Sequence, residues 1–143
     1  MTKNMVLSAA QWTKYFQTTK CFEKALQKVK VITVENGTAQ AELKVEEEHT
    51  NVMGGLHGGL SATLVDCISS YALLSDKNGG TASVSVDLHT TYLKGAKIGD
   101  EILIDAKTIR AGKTLAFLEV LIKNKATGDL LVKGSHTKYI LRS

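Results

Sequence analysis

The stretch HTNVMGGLHGGLSATLVDCIS, residues 49–69, decides the fold of this chain. Its first half is a glycine-rich loop, and its second half has apolar residues at helical spacing. This spacing predicts a helix that begins near His57. The apolar stripe of the helix consists of Leu60, Leu64, Ile68 and Tyr71 or Ala72. A glycine loop that leads into a helix presents unpaired backbone N–H groups, which suit an anion or a developing oxyanion.

The other side of the predicted helix carries small or polar residues. These are Gly59, Ala62, Thr63, Asp66, Ser69 and Ser70. Such a face allows close approach of a second chain or of a narrow ligand. Asp66 needs an explanation, because its neighbours Leu64, Val65 and Ile68 mark a buried helix. A carboxylate there must be paired, hydrated or functional, since burying a lone charge is costly.

On either side of this stretch the chain reads as a short helix and a series of strands. Residues 8–19 predict a helix capped by Ser8, and the pattern becomes strand-like from about Leu26. Asn36-Gly37 marks a hairpin turn. Further strands are predicted near 82–92, 101–110, 114–124 and 130–141. This order predicts the α+β class, with an antiparallel six-stranded sheet wrapped around a central long helix and a short N-terminal helix.

Length and composition predict an ordinary globular protein. A chain of 143 residues, 43% hydrophobic and 22% charged, has room for one substantial core. We therefore expect a single domain over 1–143, with an N-terminal helical segment at 1–25 and the core at 26–143. The net charge of +4 is spread along the chain, so nucleic acid is not an expected partner.

The sequence does not predict a secreted or membrane-spanning protein. The first twenty residues lack an apolar core of signal-peptide length, and no segment has the roughly 20 uninterrupted apolar residues that cross a bilayer. Cys21 and Cys67 form neither a disulfide framework nor a zinc pattern, which favours a reducing compartment. We expect the protein to be cytoplasmic. The alternative location is the mitochondrion, because the first twenty residues contain lysines and no acid, which resembles a mitochondrial targeting segment.

Several motifs together resemble those of the hotdog-fold acyl-CoA thioesterases. The helix-start motif Leu56-His57-Gly58-Gly59 is followed by Thr63-Leu64-Val65-Asp66, and the similarity covers nearly the whole chain. Other matching segments are VEEEHTN at 45–51, VSVD at 84–87, GKTLAF at 112–117, NKATG at 124–128 and HTK at 136–138. The resemblance implies a hotdog fold that hydrolyses medium- to long-chain fatty acyl-CoA to free fatty acid and CoA, with no metal and no cofactor.

The resemblance also implies the roles of site residues. Asp66 would be the general base for water or a nucleophile, and both roles stay open. Gly58 would offer its N–H to the oxyanion, Asn51 would hold the water or the carbonyl, and His57 would shape the loop. Ser85 would complete the contacts of the water. The implied CoA contacts are Ser85, Asp87, Tyr92, Arg110, Ala111, Gly112, Lys113, Thr114, Leu115, Lys138 and Tyr139.

Helix geometry sets a condition on this site. Gly58 and Asp66 are eight residues apart, which is about 12 Å along a helix at 1.5 Å per residue. One chain therefore cannot bring both to the same carbonyl, and two subunits with antiparallel helices are required. We expect a two-fold homodimer with two shared sites, and the resemblance implies that dimers pair into a homotetramer.

Two other functions are weighed against thioester hydrolysis. A hotdog hydratase would carry an Asp a few residues before the histidine on the same loop, and none precedes His57 there. A non-catalytic acyl-CoA sensor or scaffold would not need Asp66, although this carboxylate could also serve a dimer interface.

Several residues are expected to be structural only. The histidines outside the helix-start motif, His49, His89 and His136, are expected to be ordinary surface or strand residues, and Cys67 a core residue. Residues 112–117 lack the spacing of a phosphate loop and predict a hairpin turn.

Overall fold

The computed structural model describes residues 6–142 and confirms the predicted order of elements. The helices are α1 (Ala9–Thr18) and α2 (Gly58–Ser75). The strands are β1 (Lys30–Glu35), β2 (Thr38–Lys44), β3 (Ala82–Tyr92), β4 (Glu101–Ala111), β5 (Leu115–Asn124) and β6 (Leu130–Leu141). The strand expected from Leu26 begins only at Lys30, because Phe22–Leu26 forms a 3₁₀ turn that buries Leu26. Residues 1–5 of the expected N-terminal segment lie outside the described part.

The strands form one antiparallel sheet in the order β1-β2-β4-β5-β6-β3. Apolar side chains alternate along β4, where Ile102, Ile104 and Ala106 are fully buried. Helix α2 packs against this inner face and contacts every strand. Neither helix in residues 6–142 has the length and apolar character needed to cross a membrane.

Aromatic residues dock α1 on the domain. Trp12 stacks on Tyr71 of α2 with ring centroids 3.6 Å apart and planes 13° apart, and Phe16 is fully buried. The Thr13 hydroxyl accepts a hydrogen bond from the Val31 N–H at 2.9 Å, so α1 occupies a donor on the edge strand β1. At Val31 this edge of the sheet is therefore covered by α1.

Among the residues that the structure describes, no strand pairs with the outer side of the opposite edge strand, β3, which is therefore open. Its apolar residues Val84, Val86 and Leu88 are exposed. Val84 is opposite the exposed Tyr139, Leu88 is opposite the buried His136, and Val86 lies at the bulge between them. An exposed apolar edge strand offers unpaired backbone groups to another chain. The two edges of the sheet thus differ in their capacity to pair.

A glycine on β6 brings α2 close to the sheet. A Cβ at Gly134 would lie 2.6 Å from the Val65 side chain, closer than real contacts allow. The absence of a side chain here lets the second half of α2 approach β6 within hydrogen-bond reach.

Candidate active site

The start of α2 leaves one backbone donor free. His57 caps the helix, and its Nδ1 accepts a hydrogen bond from the Gly59 N–H at 2.8 Å. The N–H groups of Leu60 and Ser61 donate to the His57 carbonyl at 3.0 and 3.1 Å. Among the described residues, the Gly58 N–H donates to no acceptor. An unpaired donor thus stands at the positive end of an 18-residue helix.

Asn51 organises the loop that precedes this helix. Its side-chain carbonyl accepts hydrogen bonds from the N–H groups of Met53 and Gly55 at 2.9 and 3.2 Å. The Leu56 N–H donates to the Ala96 carbonyl at 2.8 Å, which ties the loop to the connection after β3. Within residues 6–142 the side-chain NH₂ of Asn51 has no acceptor, so it can serve a ligand.

A cleft of about 400 Å³ lies at the helix start, and Asn51, Gly58, Tyr92 and Lys94 are among the residues that line it. The Tyr92 hydroxyl donates to the Gly58 carbonyl at 2.8 Å. This contact joins the end of β3 to the beginning of α2. Two of the residues expected at the reaction centre, Asn51 and Gly58, therefore share one cleft with the expected CoA contact Tyr92, whereas Asp66, His57 and Ser85 do not line it.

Asp66 lies two turns further along α2. Its side chain is 49% exposed in the single chain, so the carboxylate is hydrated rather than buried. His136 Nε2 is 3.9 Å from Asp66 Oδ1, beyond hydrogen-bond length. Burial lowers the pKa of His136 to about 4, with a further contribution from Lys138, so the ring is neutral and this approach is not an ion pair.

His136 lies in strand β6, as the expectation of a surface or strand residue allowed, but its ring has a buried role that the sequence did not predict. The ring is 1% exposed and bridges α2 and β3. Its Nδ1 lies 2.8 Å from Ser69 Oγ, and its Nε2 lies 2.7 Å from Ser85 Oγ. The alternation along β6 could have indicated this, because His136 shares its side with Gly134 and Ile140, which face α2.

One proton assignment satisfies every contact of this ring. The Ser69 hydroxyl donates to the Asp66 carbonyl at 3.2 Å, so it accepts from His136 Nδ1–H. His136 Nε2 then accepts from the Ser85 hydroxyl. Ser85 keeps its oxygen lone pairs available to a further donor. The imidazole thus makes Ser85 a hydrogen-bond donor to His136, so that toward a ligand Ser85 can act as an acceptor.

Lys138 is also turned inward. It is 5% exposed, and its Nζ donates to Ser70 Oγ at 2.6 Å. The Ser70 hydroxyl donates in turn to the Asp66 carbonyl at 2.7 Å. Burial lowers the pKa of Lys138, and the Asp66 carboxylate opposes that shift. Because its ammonium group is buried, Lys138 is not a surface cation for the CoA phosphates. Within one chain it serves the packing of α2 on β6.

The expected CoA contacts lie on both faces of the sheet. Ser85 and Tyr92 share the inner face with Lys138, as their pairing with β6 indicates. Tyr139 and Leu115 are opposite each other on the outer face, where Arg110 lies opposite Phe117. The remaining expected contacts are Asp87 on the outer side of β3, Ala111 at the end of β4, and Gly112, Lys113 and Thr114 in the β4–β5 turn. One chain does not gather this set around one cleft.

His49 is buried as well, contrary to expectation. It is 2% exposed, and its Nδ1 accepts a hydrogen bond from the Glu46 N–H at 2.9 Å. Burial lowers the pKa of His49, which keeps the ring neutral and able to accept this bond. The residue therefore holds the loop before Asn51. His89 is exposed on β3, as expected.

Cys67 is a core residue, as predicted. Burial raises the pKa of its thiol to about 12, with a further contribution from the Asp66 carboxylate, so no reactive thiolate forms near neutral pH. Within residues 6–142, no three His, Cys, Asp or Glu side chains gather closely enough to hold a metal ion.

Acid should destabilise the protein through His136. The folded pKa is depressed from 6.5 to about 4, so its stabilising contribution is complete above pH 6.5 and is lost as pH falls toward 4. The ring faces Lys138, Asp66 and Asp87. Between about pH 7 and pH 4, we expect wild type to lose about 3 kcal/mol more unfolding free energy than His136→Gln.

Urea unfolding of both proteins at one fixed protein concentration measures this difference. The protonation of His49 changes the unfolding free energy of both proteins equally, so it cancels from the difference between them. Parallel losses of stability with falling pH would contradict a buried neutral His136.

The family model described as the thioesterase superfamily matches residues 53–130, more than half of the chain. The chain belongs to the thioesterase superfamily. The matched part contains Gly58, Asp66 and Ser85, whereas Asn51 precedes it and His136 follows it.

This thioesterase is similar to acyl-coenzyme A thioesterase 13 of Homo sapiens, with 46% identity over 137 residues, which cover 96% of this chain and 97% of that protein. The crystal structure of zebra fish thioesterase superfamily member 2 is 43% identical, has a TM-score of 0.88, and covers 94% of this chain and 99% of that one. Thioesterase superfamily member 2 from Mus musculus is 41% identical, has a TM-score of 0.84, and covers 99% and 100%. The fold is thus the hotdog fold, and the thioesterase is a thioester-hydrolysing enzyme.

Proposed function

We propose that this thioesterase hydrolyses medium- to long-chain fatty acyl-CoA to free fatty acid and CoA. The observation that carries the proposal is the unpaired Gly58 N–H at the start of α2, with the hydrated Asp66 carboxylate further along the same helix. The name of the similar human protein, acyl-coenzyme A thioesterase 13, supports acyl-CoA as the substrate class. The chain-length range follows the family resemblance.

We propose that each site is shared by two subunits. Gly58 and Asp66 are about 12 Å apart along α2, so they cannot act on one carbonyl within a chain. Two copies that pair through the open β3 edge would run antiparallel, and their α2 helices would then also be antiparallel. This arrangement would bring Gly58 of one subunit toward Asp66 of the other.

A tetramer of two such dimers is the proposed assembly. Leu115, Phe117 and Tyr139 are exposed on the outer face of the sheet and lie on neighbouring strands. An apolar surface of this kind supports a second interface with another copy of the chain.

The proposed reaction needs no cofactor. Asp66 accepts a proton from water as the water oxygen attacks the thioester carbon. The Gly58 N–H of the other subunit donates to the resulting oxyanion, a contact worth about 3 kcal/mol in the transition state. The tetrahedral intermediate then breaks its carbon–sulfur bond, and the CoA thiolate takes the proton from Asp66.

Three other side chains support this step. The free NH₂ of Asn51 would polarise the carbonyl, and Ser85, held by His136, would accept the second hydrogen of the attacking water. In the alternative route, the Asp66 carboxylate attacks the thioester itself and forms a mixed anhydride that water then hydrolyses. In ¹⁸O-labelled water, label found in Asp66 after a single turnover would establish the anhydride route with water attack at the Asp66 carboxyl carbon, because general-base hydrolysis places label only in the fatty acid.

The nucleotide end of CoA is proposed to lie at the β4–β5 turn. Arg110 and Lys113 stand on either side of Gly112 and supply positive charge for the phosphates. The position of Arg110 on the outer side of the sheet and of Lys113 in the turn, away from the inner cleft, suits a long substrate that extends between subunits.

Release of free thiol from acyl-CoAs of increasing chain length tests the proposal. We expect turnover above the buffer blank, with the highest kcat/KM for medium to long chains. Absence of thiol release overturns the proposed activity, and tight binding without release would favour the acyl-CoA sensor. Loss of enoyl-CoA absorbance without thiol release would favour the hydratase.

A further inference from the structure

Arg142, which follows β6, binds two loops that are distant in sequence. Its Nε donates to the Lys113 carbonyl at 2.8 Å. Its Nη2 donates to the Asn78 carbonyl at 2.8 Å and to the Gly112 carbonyl at 3.3 Å. One guanidinium thus joins the end of the sheet to the β4–β5 turn and to the α2–β3 loop.

The β4–β5 turn has few other fixed points. The Gly112 N–H donates to the Leu115 carbonyl at 2.9 Å, and the Ile140 N–H donates to the Thr114 carbonyl at 2.7 Å. Among the described residues, only Arg142 donates to the carbonyls of Gly112 and Lys113. Arg142 thus holds the two carbonyls at the centre of the turn, in addition to the backbone hydrogen bonds at Gly112 and Thr114.

We propose that Arg142 is a positioning residue for the nucleotide end of the substrate. It fixes the turn so that Lys113 is presented to the CoA phosphates before the substrate arrives. A turn ordered in advance spares the conformational entropy that binding would otherwise cost. This inference rests on the proposed function and adds a residue that contacts neither the thioester nor Asp66.

The chemistry of the side chain matters here, not only its charge. A guanidinium is planar, carries five N–H donors and holds several carbonyls at fixed angles. A lysine at the same place would keep the positive charge but would offer a single flexible ammonium. Arg142→Lys therefore separates the contacts to the turn from long-range attraction of the phosphates.

The experiment compares Arg142→Gln and Arg142→Lys with wild type on two thioesters that carry the same acyl chain. One is acyl-CoA, and the other is acyl-pantetheine, which lacks the nucleotide. We expect both variants to raise KM for acyl-CoA about five- to tenfold with kcat nearly unchanged. We expect kcat/KM for acyl-pantetheine to stay at the wild-type value in every variant.

Lys77→Gln is the matched control. Lys77 is exposed in the same α2–β3 loop, and within residues 6–142 it makes no side-chain hydrogen bond or ion pair, so this variant removes one positive charge without touching the turn. Its kinetics should match wild type on both thioesters. Urea unfolding of all variants confirms that the sheet is intact.

Each outcome decides a different claim. If Arg142→Lys keeps the wild-type KM for acyl-CoA, charge alone acts and the positioning role is wrong. If acyl-pantetheine loses as much as acyl-CoA, Arg142 supports the fold rather than the nucleotide contact. A wild type that hydrolyses neither thioester overturns the proposed function, and this inference with it.

Discussion

Replacing Gly58 by proline is expected to lower kcat for thioester hydrolysis by about 10²–10³-fold. Proline has no N–H, so the substitution removes the unpaired donor at the helix start. The first position of a helix tolerates proline well. His57 has φ −65° and ψ 128°, the extended conformation that a residue before proline requires. The change should therefore remove one catalytic group without breaking α2.

Gly58→Ala is the matched control for this prediction. In both variants the new Cβ lies 3.3 Å from the Tyr92 ring, so alanine reproduces the Cβ contact of proline with Tyr92 but keeps its N–H. Steady-state thiol release gives kcat for the three proteins, and thermal unfolding reports their stability. Equal losses of kcat in the two variants would attribute the effect to crowding at Tyr92 and would contradict the oxyanion role.

Asp66→Asn is expected to lower kcat by about 10²–10⁴-fold, because the amide can neither accept the proton of the water nor attack the thioester. The contacts from Ser69 and Ser70 go to the backbone carbonyl of Asp66, and the side chain is half exposed. Stability should therefore change little. Asp105→Asn, which removes a carboxylate from β4, serves as the control. Full kcat in Asp66→Asn would exclude both roles of this residue.

Mixing the two inactive proteins tests whether the site is shared. In a hybrid dimer of Asp66→Asn and Gly58→Pro, one of the two sites would combine an intact Gly58 with an intact Asp66. Random exchange makes half of the dimers hybrid, so activity should return to about one quarter of wild type. Differently tagged subunits show that exchange has occurred. No recovery after exchange would place both groups of a working site in one chain.

The order of elements and the helix start could be predicted because their signals are local. Helical spacing after His57 and the Asn36-Gly37 turn each depend on residues that are neighbours in sequence. The start of β1 at Lys30 could not be predicted in this way. The 3₁₀ turn before it forms where Leu26 finds a buried place against the rest of the core, which is a tertiary effect.

The candidate site shows the same division. Helical spacing alone separates Gly58 from Asp66 and leads to the shared site. The bridge through His136 joins Ser69 and Ser85, which are 67 and 51 residues away from it in sequence. Only the packing of α2 on β6, allowed by Gly134, brings these groups together. The burial of Lys138 has the same origin, and it could not be read from the charge pattern.

The unequal edges of the sheet also bear on how far the sheet itself can be extended by pairing of strands. Thr13 occupies a backbone donor of β1, and in the described sheet β3 is left as the open edge. When two copies pair through β3, each uses its open edge, and both ends of the joined sheet are then covered strands. A further strand would meet α1 at Val31 of each of these ends. Pairing of two β3 strands would bring Gly58 of one subunit to Asp66 of the other. The same pairing would bury the exposed apolar strand and so keep it from adding further copies into a fibre.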